Sequence, residues 1–453
     1  MMTFKKYLEI RTEAAPLAVF RILFGFLMLA SIVRFWYNGW IDKLYIQPKL
    51  FFSYYGFEWI KPIGDYTYIL FVLCAIASIC IIVGYKYRMA IVIFFLCFTY
   101  IELMDKTTYL NHYYFVSILS FLLIFLPMNT YYSIDAKLNP HLSFQKIPKW
   151  AIDSLKLLLC IVYFYAGLAK LNSDWLIDAL PLKIWLPAKY DLPLLGKILG
   201  ETWAHYAFSW SGVVYDLTIP FFLLYKRTRP YAYIVVIVFH VLTRVLFPIG
   251  MFPFIMIMAT IIFFEAAFHH KLLRYLSNLL KISKTYFDNG ESMVLTQIHR
   301  NFVPRLFVVF FVMQLLMPFR YLLYPGELFW TEEGYRFSWR VMLMEKAGYA
   351  QFKILNSNTG KWFYVDNTDF LTPFQEKQMA FQPDFILEYA HYLENHFKAQ
   401  GHKNIEIYVE SYVTLNGRRS TALVDPKIDL TKEKESFKHK HWLIPFTDDI
   451  KGI

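Results

Sequence analysis

Long apolar segments constrain this chain more than any other feature of its sequence. Nine of them follow one another, at about 16–36, 66–84, 89–105, 112–129, 153–171, 208–225, 230–247, 249–267 and 302–322. A segment of about twenty apolar residues crosses a bilayer core as a helix, which satisfies its own backbone polar groups. Only 18% of the 453 residues are charged, fewer than soluble proteins carry. The chain is therefore predicted to be a polytopic α-helical membrane protein with about nine transmembrane helices.

The distribution of basic residues predicts how these helices are oriented. If the N-terminus is cytoplasmic, sixteen Lys and Arg residues fall in cytoplasmic segments and seven fall in the opposite loops. Positive charge is normally retained on the cytoplasmic side, so this orientation is favoured. Nine spans then place residues from about 324 onward outside the cytoplasm, whereas an even number would place them inside. The turn Phe247–Phe254 decides the number, because it forms either a tight connection or a re-entrant element.

Charge and cysteine content exclude some classes of partner. The net charge of +11 is accounted for by basic residues that flank spans, and no basic–aromatic platform for single strands is present, so no nucleic acid is expected. All four cysteines lie in apolar segments, at positions 74, 80, 97 and 160, without the spacing of a disulfide framework or metal site. His439 and His441 are at strand spacing but have no third ligand, so no metal is expected.

The chain changes character near residue 324. The stretch AQFKILNSNTGKWFYV predicts two strands around Asn356–Gly360, and PDFILEYAHYLENHFKAQG predicts an amphipathic helix that begins near Pro383 and ends near Gly401. A second hairpin is predicted around Asn416-Gly417, a dipeptide that favours tight turns. We therefore divide the chain into a transmembrane domain, residues 1–323, and an extracytoplasmic α+β domain, residues 324–453.

Ionisable residues inside the predicted spans are candidate functional residues, because charge is costly in a bilayer core. They are Arg21, Glu102, Asp105, Lys106, His112, Lys156, Lys170, Asp216, His240 and Arg244. Lys170, in CIVYFYAGLAKLNSDWL, has two readings. It is either an anchor that extends to the membrane interface, or an amine kept dry and uncharged, and therefore able to act as a base near neutral pH.

The other candidates also have structural alternatives. In MDKTTYLNHYY, Asp105, Lys106, Asn111 and His112 crowd a short connection between two spans. Histidine is the usual proton-transfer side chain, but a single interfacial histidine often serves packing. His240 lies in mid-span and could simply hydrogen-bond to a neighbouring helix. Asp216 is expected to pair with a cation such as Arg244 or to cap a packed pair of helices.

Six segments resemble, in the same order, the vitamin K-dependent gamma-glutamyl carboxylase family, including its bacterial members. They are Ala15–Ala30, Asp105–Tyr114, Ile161–Trp175, Phe239–Phe254, Gly334–Met344 and Val424–Leu430. The membrane part of that family is often called the horizontally transferred transmembrane (HTTM) domain. The resemblance covers nearly the whole chain, and it implies a multi-pass protein of a bacterial inner membrane.

The resemblance also implies roles for particular residues. Lys170 stands where the family has its catalytic base, in the AGxxKL motif, and His112 stands where it has a supporting histidine after Asn111. Asp105 and Lys106 open the same DKT motif, and His240 matches the family's FH motif. Tyr335–Trp339 matches the YxxSW stretch of the glutamate-substrate region, and Arg340 follows it.

The implied reaction begins when the Lys170 amine removes a proton from reduced vitamin K, a hydroquinone of the menaquinol type. Oxidation by O2 to the epoxide then produces a strong base, which takes a γ proton from a peptide glutamate so that CO2 can add. Such a base survives where water is excluded, and an isoprenoid quinol needs an apolar entry. The cofactors and partners implied are the hydroquinone, O2, CO2, membrane lipid and a glutamate-containing peptide.

Two departures and two alternatives remain. Animal members have a second lysine where this chain has Ala169, and Asp-Met where it has Arg340-Val341, so glutamate carboxylation follows less directly from the resemblance than quinol oxidation.

The alternatives are an epoxidase or a quinone- or lipid-binding membrane protein without glutamate carboxylation, and a transporter. A transporter should contain inverted repeats and paired interrupted helices, and the sequence shows neither.

Overall fold

In the described part of the chain, ten helices of nine residues or more precede the C-terminal domain. The computed structural model describes residues 4–281 and 287–452. The ten helices are α1 (Ala15–Tyr37), α2 (Thr67–Val83), α3 (Tyr87–Met104), α4 (Asn111–Phe125), α5 (Lys149–Leu168), α6 (Thr202–Leu224), α7 (Arg229–Leu246), α8 (Phe252–Thr260), α9 (Ala266–Leu280) and α10 (Val303–Leu316). Short strands β1 (Arg11–Glu13) and β2 (Lys146–Pro148) pair antiparallel beside the first of them.

The expected count of nine spans is not confirmed. Within residues 4–281 and 287–452, seven helices are long and apolar enough to cross a membrane: Ala15–Tyr37, Gly64–Val83, Tyr87–Met104, Lys149–Leu168, Thr202–Leu224, Arg229–Leu246 and Ile298–Leu323. An eighth span is present if α8 and α9 count as one, although the chain bends by 117° between them. The helix α4 is apolar but has only 15 residues.

Prolines explain where the predicted spans were too long. The span predicted to reach residue 129 ends at Phe125, and Leu126, which precedes Pro127, is extended. The helix α7 ends in the same way, because Phe247 is extended before Pro248. A residue before proline is pushed out of the helical region by the proline ring. Local chain chemistry therefore shortens helices that the apolar pattern alone would continue.

The C-terminal part has the predicted mixture of strands and helices. Four antiparallel strands lie in the order β4-β3-β5-β6. They are β3 (Lys346–Asn356), β4 (Trp362–Tyr364), β5 (Ile405–Leu415) and β6 (Thr421–Ala422), and the helices are α11 (Pro373–Met379) and α12 (Pro383–Ala399). Alternate residues of β5 are buried, from Ile405 to Leu415, as expected for a sheet with one face on a core. Both predicted hairpins and the amphipathic helix are confirmed.

Two clusters of ion pairs fix this domain on the helix bundle. Arg418 donates to both carboxylate oxygens of Asp174, at 2.7 and 2.8 Å, and Asp174 is 1% exposed. On the other side, Lys106 pairs with Asp384 at 3.0 Å and with Glu388 at 2.8 Å. Helix ends of the bundle and residues of the sheet also share one apolar core. The helix ends in contact with the C-terminal domain are called domain-side ends below.

Candidate functional site

Lys170 lies in the turn that follows α5, at its domain-side end, and it does not reach towards a lipid interface. Its side chain is buried, and Nζ donates to the Ala166 carbonyl at 2.9 Å and to Asp216 Oδ2 at 2.7 Å. The C-terminal segment covers the turn, because the Ser173 N–H donates to the Lys451 carbonyl at 2.7 Å. The interpretation of Lys170 as an interfacial anchor is therefore wrong.

A glycine explains how Asp216 comes so close. A Cβ built on Gly167 would lie 2.8 Å from the Leu217 side chain and 2.9 Å from the Leu217 backbone nitrogen. Only a residue without a side chain lets α6 approach α5 at this distance. Because Leu217 follows Asp216, the same contact brings the carboxylate of α6 to the amine at the end of α5. The glycine of the AGxxKL motif thus serves helix packing.

Lys170 opens onto a mostly apolar cavity of about 100 Å³ between α5, α6, α7 and α8. Its polar lining comes from four side chains, those of Lys170, Asp216, His240 and Thr243. The other lining residues are mostly apolar or aromatic: Val162, Tyr163, Ala166, Trp175, Leu182, Trp185, Phe208, Gly212, Phe239, Phe247, Ile249, Phe252, Met256, Val341 and Met342. A cavity with few polar groups among many apolar ones is typical of a small-molecule binding site.

His240 faces the same cavity from α7. Its Nδ1 lies 3.0 Å from the Val236 carbonyl oxygen and 3.3 Å from the Tyr215 hydroxyl. Because a carbonyl can only accept, the hydrogen bond assigns the proton to Nδ1 and leaves the Nε2 lone pair as an acceptor. The Val236 bond lies within α7 itself, and the contact with Tyr215 on α6 is the one that matches the predicted hydrogen bond to a neighbouring helix. His240 therefore makes these hydrogen bonds and also lines the cavity.

His112 is close to this cavity but does not line it. The ring of Phe252 lies between the two histidines, with ring centroids 6.1 Å from His112 and 6.0 Å from His240. His112 is buried and packs against Gly250 and Tyr113. Lys170 and His240 therefore share one cavity, and His112 contacts its wall from behind.

Asn111 holds a loop of the C-terminal domain over the cavity. Its Nδ2 donates to the Arg340 carbonyl at 2.9 Å, and its Oδ1 accepts from the Tyr109 hydroxyl at 3.0 Å. That hydroxyl in turn accepts from the Phe337 N–H at 2.7 Å. The next residues after Arg340, at positions 341 and 342, line the cavity. The backbone path of this loop is thus set by side chains of the bundle.

The loop itself is strained. Phe337, Trp339 and Met342 all have positive φ angles, between 53° and 60°. This conformation is unfavourable for residues with a Cβ, and it persists where surrounding contacts enforce it. Here the enforcing contacts are the hydrogen bond that Asn111 donates to the Arg340 carbonyl and the one that Tyr109 accepts from the Phe337 N–H. Strain of this kind concentrates at functional sites.

The side chains of the YxxSW stretch do not enter the Lys170 cavity. Trp339 is buried against the rings of Tyr114 and Phe115, at centroid distances of 5.0 and 6.3 Å. Arg340 is also buried, with its guanidinium carbon 4.6 Å from the centroid of the Tyr321 ring. Tyr335 packs against Phe329. These residues anchor the loop, while its backbone lies beside the cavity.

Asp105 and Lys106 contact the domain and lie outside the cavity. Asp105 accepts from the Thr107 N–H at 2.9 Å and from the Gln375 side chain at 3.3 Å, and burial raises the pKa of Asp105 to about 6. Lys106 forms the ion pairs with Asp384 and Glu388. Burial alone would raise the pKa of Asp384, but the charges of Arg336 and Lys106 outweigh it and hold that pKa far below its usual range.

Two family models match the chain. The HTTM domain model matches residues 10–268, more than half of the sequence. The model for the lumenal domain of vitamin K-dependent gamma-carboxylase matches residues 299–449. The chain belongs to the vitamin K-dependent gamma-carboxylase family. No solved structure matches it. The resemblance inferred from six segments is confirmed, and this carboxylase-family protein is an integral membrane protein.

The structure adds one residue to the candidate site of this carboxylase-family protein. Asp216 is predicted from the sequence to pair with a cation such as Arg244 or to cap a packed pair of helices. It does pair with a cation, but that cation is Lys170, and Arg244 is exposed on α7. The sequence flagged Asp216 as an ionisable residue in a span, but its partner lies 46 positions away. The AGxxKL motif contained a further signal in Gly167, since a glycine in a helix indicates a close neighbour.

Proposed function

We propose that this protein oxidises a reduced vitamin K, a menaquinol-type hydroquinone, with O2 to the epoxide. We propose further that the oxidation is coupled to CO2 addition at the γ carbon of glutamate in a peptide. The observation that carries the proposal is the buried Lys170 amine, which opens onto an apolar cavity and is oriented by two acceptors. Family membership supports it, because the matching lumenal domain is that of a vitamin K-dependent gamma-carboxylase.

The residues of the cavity fit a hydroquinone. An isoprenoid quinol has a flat apolar ring with two hydroxyls, and the lining offers aromatic side chains with polar groups from Lys170, Asp216, His240 and Thr243. When bound, the hydroquinone supplies an oxidisable ring whose reaction with O2 releases the free energy needed to remove a γ proton from glutamate. Lys170 and His240 would face its hydroxyls, and apolar side chains would surround its ring.

Lys170 is proposed as the base. In the uncharged amine, two N–H bonds donate to the Ala166 carbonyl and to Asp216, which leaves the lone pair free to accept a proton from a hydroxyl in the cavity. Once protonated, the ammonium would be costly in apolar surroundings without a counter-charge. The Asp216 carboxylate, 2.7 Å away, stabilises that form. Asp216 thus makes the proton transfer favourable where water is excluded.

The two histidines have different proposed roles. His240 keeps its Nδ1 proton on the Val236 carbonyl and can accept a hydrogen bond at Nε2 from a second hydroxyl, which would fix the ring orientation. His112 is proposed as a positioning residue, since it contacts Phe252, a residue of the cavity wall. Asn111 has a similar role for the loop at Arg340.

The glutamate is proposed to approach from the side of the C-terminal domain. The loop that contains Tyr335–Trp339 continues into the cavity wall, so a peptide bound along it would reach the Lys170 cavity.

We also propose that residues 1–323 form the membrane domain, and that residues 324–453 lie outside the cytoplasm of a bacterial inner membrane. The matching domain is described as lumenal, which supports a location of residues 324–453 outside the cytoplasm.

One experiment tests both halves of the reaction. Purified protein in detergent is incubated with reduced vitamin K, O2, labelled bicarbonate and a glutamate-containing peptide, and epoxide and fixed label are followed separately. We expect both products from the wild type and none from Lys170→Ala. Lys197→Ala, which removes an exposed lysine from the short helix Gly196–Leu199 in the α5–α6 connection, is the matched control and should retain activity.

Each other result has a definite meaning. Epoxide without fixed label would reject glutamate carboxylation and leave an epoxidase. Neither product from folded wild-type protein would reject the enzyme and favour a quinone-binding protein. Unchanged epoxide formation by Lys170→Ala would remove Lys170 as the base.

A further inference from the structure

We propose that a second cavity, separate from that of Lys170, binds a phospholipid whose head group carries a primary amine, of the phosphatidylethanolamine type. An apolar cavity of about 500 Å³ lies between α3, α4 and α10, and a polar cavity of about 440 Å³ lies next to the C-terminal domain. Tyr54, Phe57, Leu103, Met317 and Phe337 line both. The two cavities therefore join into one site that has an apolar end and a polar end.

The loop at residues 335–342 separates this site from the proposed quinol site. Phe337 lines both parts of the second site, whereas Val341 and Met342 line the Lys170 cavity. Neither Lys170 nor His240 lines the second site. The inference therefore goes beyond the proposed reaction and does not depend on it.

A carboxyl group without a partner marks the apolar part. Glu102 lines this cavity near the domain-side end of α3, among aromatic and aliphatic side chains such as Phe95 and Phe121. Among the described residues it has no hydrogen bond or ion pair. Ser117, which is nine-tenths buried and lines the same cavity, also has an unpartnered hydroxyl. Isolated polar groups at membrane depth are costly, and they indicate a ligand that supplies the missing partner.

In the polar part, it is a cationic side chain that has no carboxylate partner. Its four acidic side chains are all paired within the protein, as Glu332–Lys346, Glu333–His439, Asp384–Arg336 and Glu435–Lys440. Arg320, by contrast, has no carboxylate partner in the described part of the chain. Its guanidinium donates to the Arg336 carbonyl and contacts Met317 Sδ at 3.7 Å. A phosphate or carboxylate is the partner that a guanidinium normally binds.

One ligand satisfies both groups. Arg320 and Glu102 both lie near the junction of the two cavities, because Met317 and Leu103 line both parts. A phosphate would supply the anion that Arg320 lacks, a primary ammonium would donate hydrogen bonds to the Glu102 carboxyl group, and an acyl chain would fill the apolar part between α4 and α10. An anionic head group would meet Glu102 unfavourably, and a choline head group has no N–H to donate. The charges therefore select a zwitterionic lipid with a primary amine.

Photo-crosslinking of the wild-type protein tests the location. Full-length protein in nanodiscs is incubated with phosphatidylethanolamine that carries a diazirine in its acyl chain, then irradiated and mapped by peptide mass spectrometry. We expect labelling enriched on buried residues of the apolar cavity, such as Ser117, Phe310 and Gln314. Equal labelling of the exposed surface of α7, for example at Val235 and Val238, would overturn the proposal, because it would indicate bulk lipid only.

Competition tests the head group. Native mass spectrometry compares the binding of phosphatidylethanolamine, phosphatidylcholine and phosphatidylglycerol with identical chains. We expect the wild type to prefer phosphatidylethanolamine, Glu102→Gln to lose about tenfold in that preference, and Arg320→Gln to weaken binding of all three lipids. Arg244→Gln removes an exposed arginine near the domain-side end of α7, outside the site, and should bind as the wild type does.

Two results would contradict the head-group assignment. A wild-type preference for phosphatidylglycerol or phosphatidylcholine would reject the amine at Glu102. Binding by folded Glu102→Gln and Arg320→Gln that equals the wild type would reject the site as a whole. Elution volume and melting temperature show whether the variants are folded, and the wild-type crosslinks decide the location if they are not.

Discussion

At the scale of single residues, the surroundings of Lys170 decide what its amine can do. The same side chain at the end of an apolar helix would be an anchor if it reached water. Here it is buried, it donates to a carbonyl and to Asp216, and the C-terminal segment closes over it. Beside Asp216, an ammonium formed on Lys170 has a counter-charge and is not an isolated buried charge.

Replacement of Asp216 by asparagine tests this pairing. The amide oxygen can still accept from Nζ, but it no longer stabilises the ammonium by charge. Since hydrogen bonds to charged groups contribute about 1.5–3 kcal/mol, we expect epoxide formation to fall about 10- to 100-fold. The rate of epoxide formation at saturating quinol is the measurement, and a rate equal to that of the wild type would show that Asp216 has no part in the step.

A second residue-scale prediction concerns Asp105. Its pKa is raised by burial from 3.8 to about 6, so the folded state holds this proton more tightly than the unfolded state. The contribution of Asp105 to stability is therefore greatest below pH 4, decreases as the pH rises to about 6, and is constant above that. The change amounts to at most about 3 kcal/mol.

Thermal unfolding between pH 4 and 8 measures the effect of Asp105. Asp105→Asn retains an acceptor for the Thr107 N–H but does not titrate. We expect the melting temperature of the wild type, relative to that of Asp105→Asn, to fall between pH 4 and 6. Parallel curves for the two proteins over that range would contradict the prediction.

At the scale of helices, the contact between α5 and α6 positions the candidate base. Gly167 allows the two backbones to approach until a Cβ would touch Leu217, and one residue before Leu217 lies the carboxylate that binds Lys170. The α5–α6 connection, through Trp175, Leu182 and Trp185, and the loop at 341–342 then complete the walls of the cavity. The site thus combines the end of α5 with residues from within α6 and α7.

Gly167→Ala tests whether the close approach of α5 and α6 is needed for activity. The added methyl group would lie within 3 Å of Leu217, so α6 must shift, at a cost of about 1–3 kcal/mol. We expect a lower melting temperature together with a loss of epoxide formation, because the Lys170–Asp216 distance would increase. Gly200→Ala is the control, since its nearest neighbour would be at 3.6 Å. Full activity of Gly167→Ala would show that the close approach is not required.

At the scale of the whole molecule, the C-terminal domain acts as a cover for the candidate site. Two separate ion-pair clusters, at Asp174 and at Lys106, hold it on the bundle. The loop that lines the Lys170 cavity belongs to this domain. Water is therefore excluded from the site only while the domain is docked, and exclusion of water is what preserves a strong base.

Arg418→Gln tests this cover. It leaves Asp174 buried without its guanidinium partner, which is strongly destabilising for a buried carboxylate. We expect faster hydrogen exchange in residues 339–343 and around Ser173, with epoxide formation reduced in parallel. The control is Lys398→Gln, which breaks an exposed pair with Glu394 within α12 and should change little. Unaltered exchange in Arg418→Gln would show that the domain docks by its apolar core alone.

The sequence determined the class of the protein, most of its helices and the elements of the C-terminal domain. Apolar length, basic flanks and turn residues such as Asn416-Gly417 act over short stretches, so they can be read without knowledge of the fold. The order of six motifs also identified the family and the candidate base. Where the sequence overestimated helix length, proline at positions 127 and 248 was the local cause.

The tertiary structure decided which residues meet. It paired Lys170 with Asp216 instead of leaving the amine alone, placed His112 behind Phe252, and directed Trp339 and Arg340 away from the cavity. It also placed Glu102 and Arg320 in the walls of two adjoining cavities. These contacts join residues that are far apart in the chain, and their distances depend on how helices pack and where the domain docks. A one-dimensional pattern carries no information about that packing, because it records periodicity along an element and not the neighbour that the element faces.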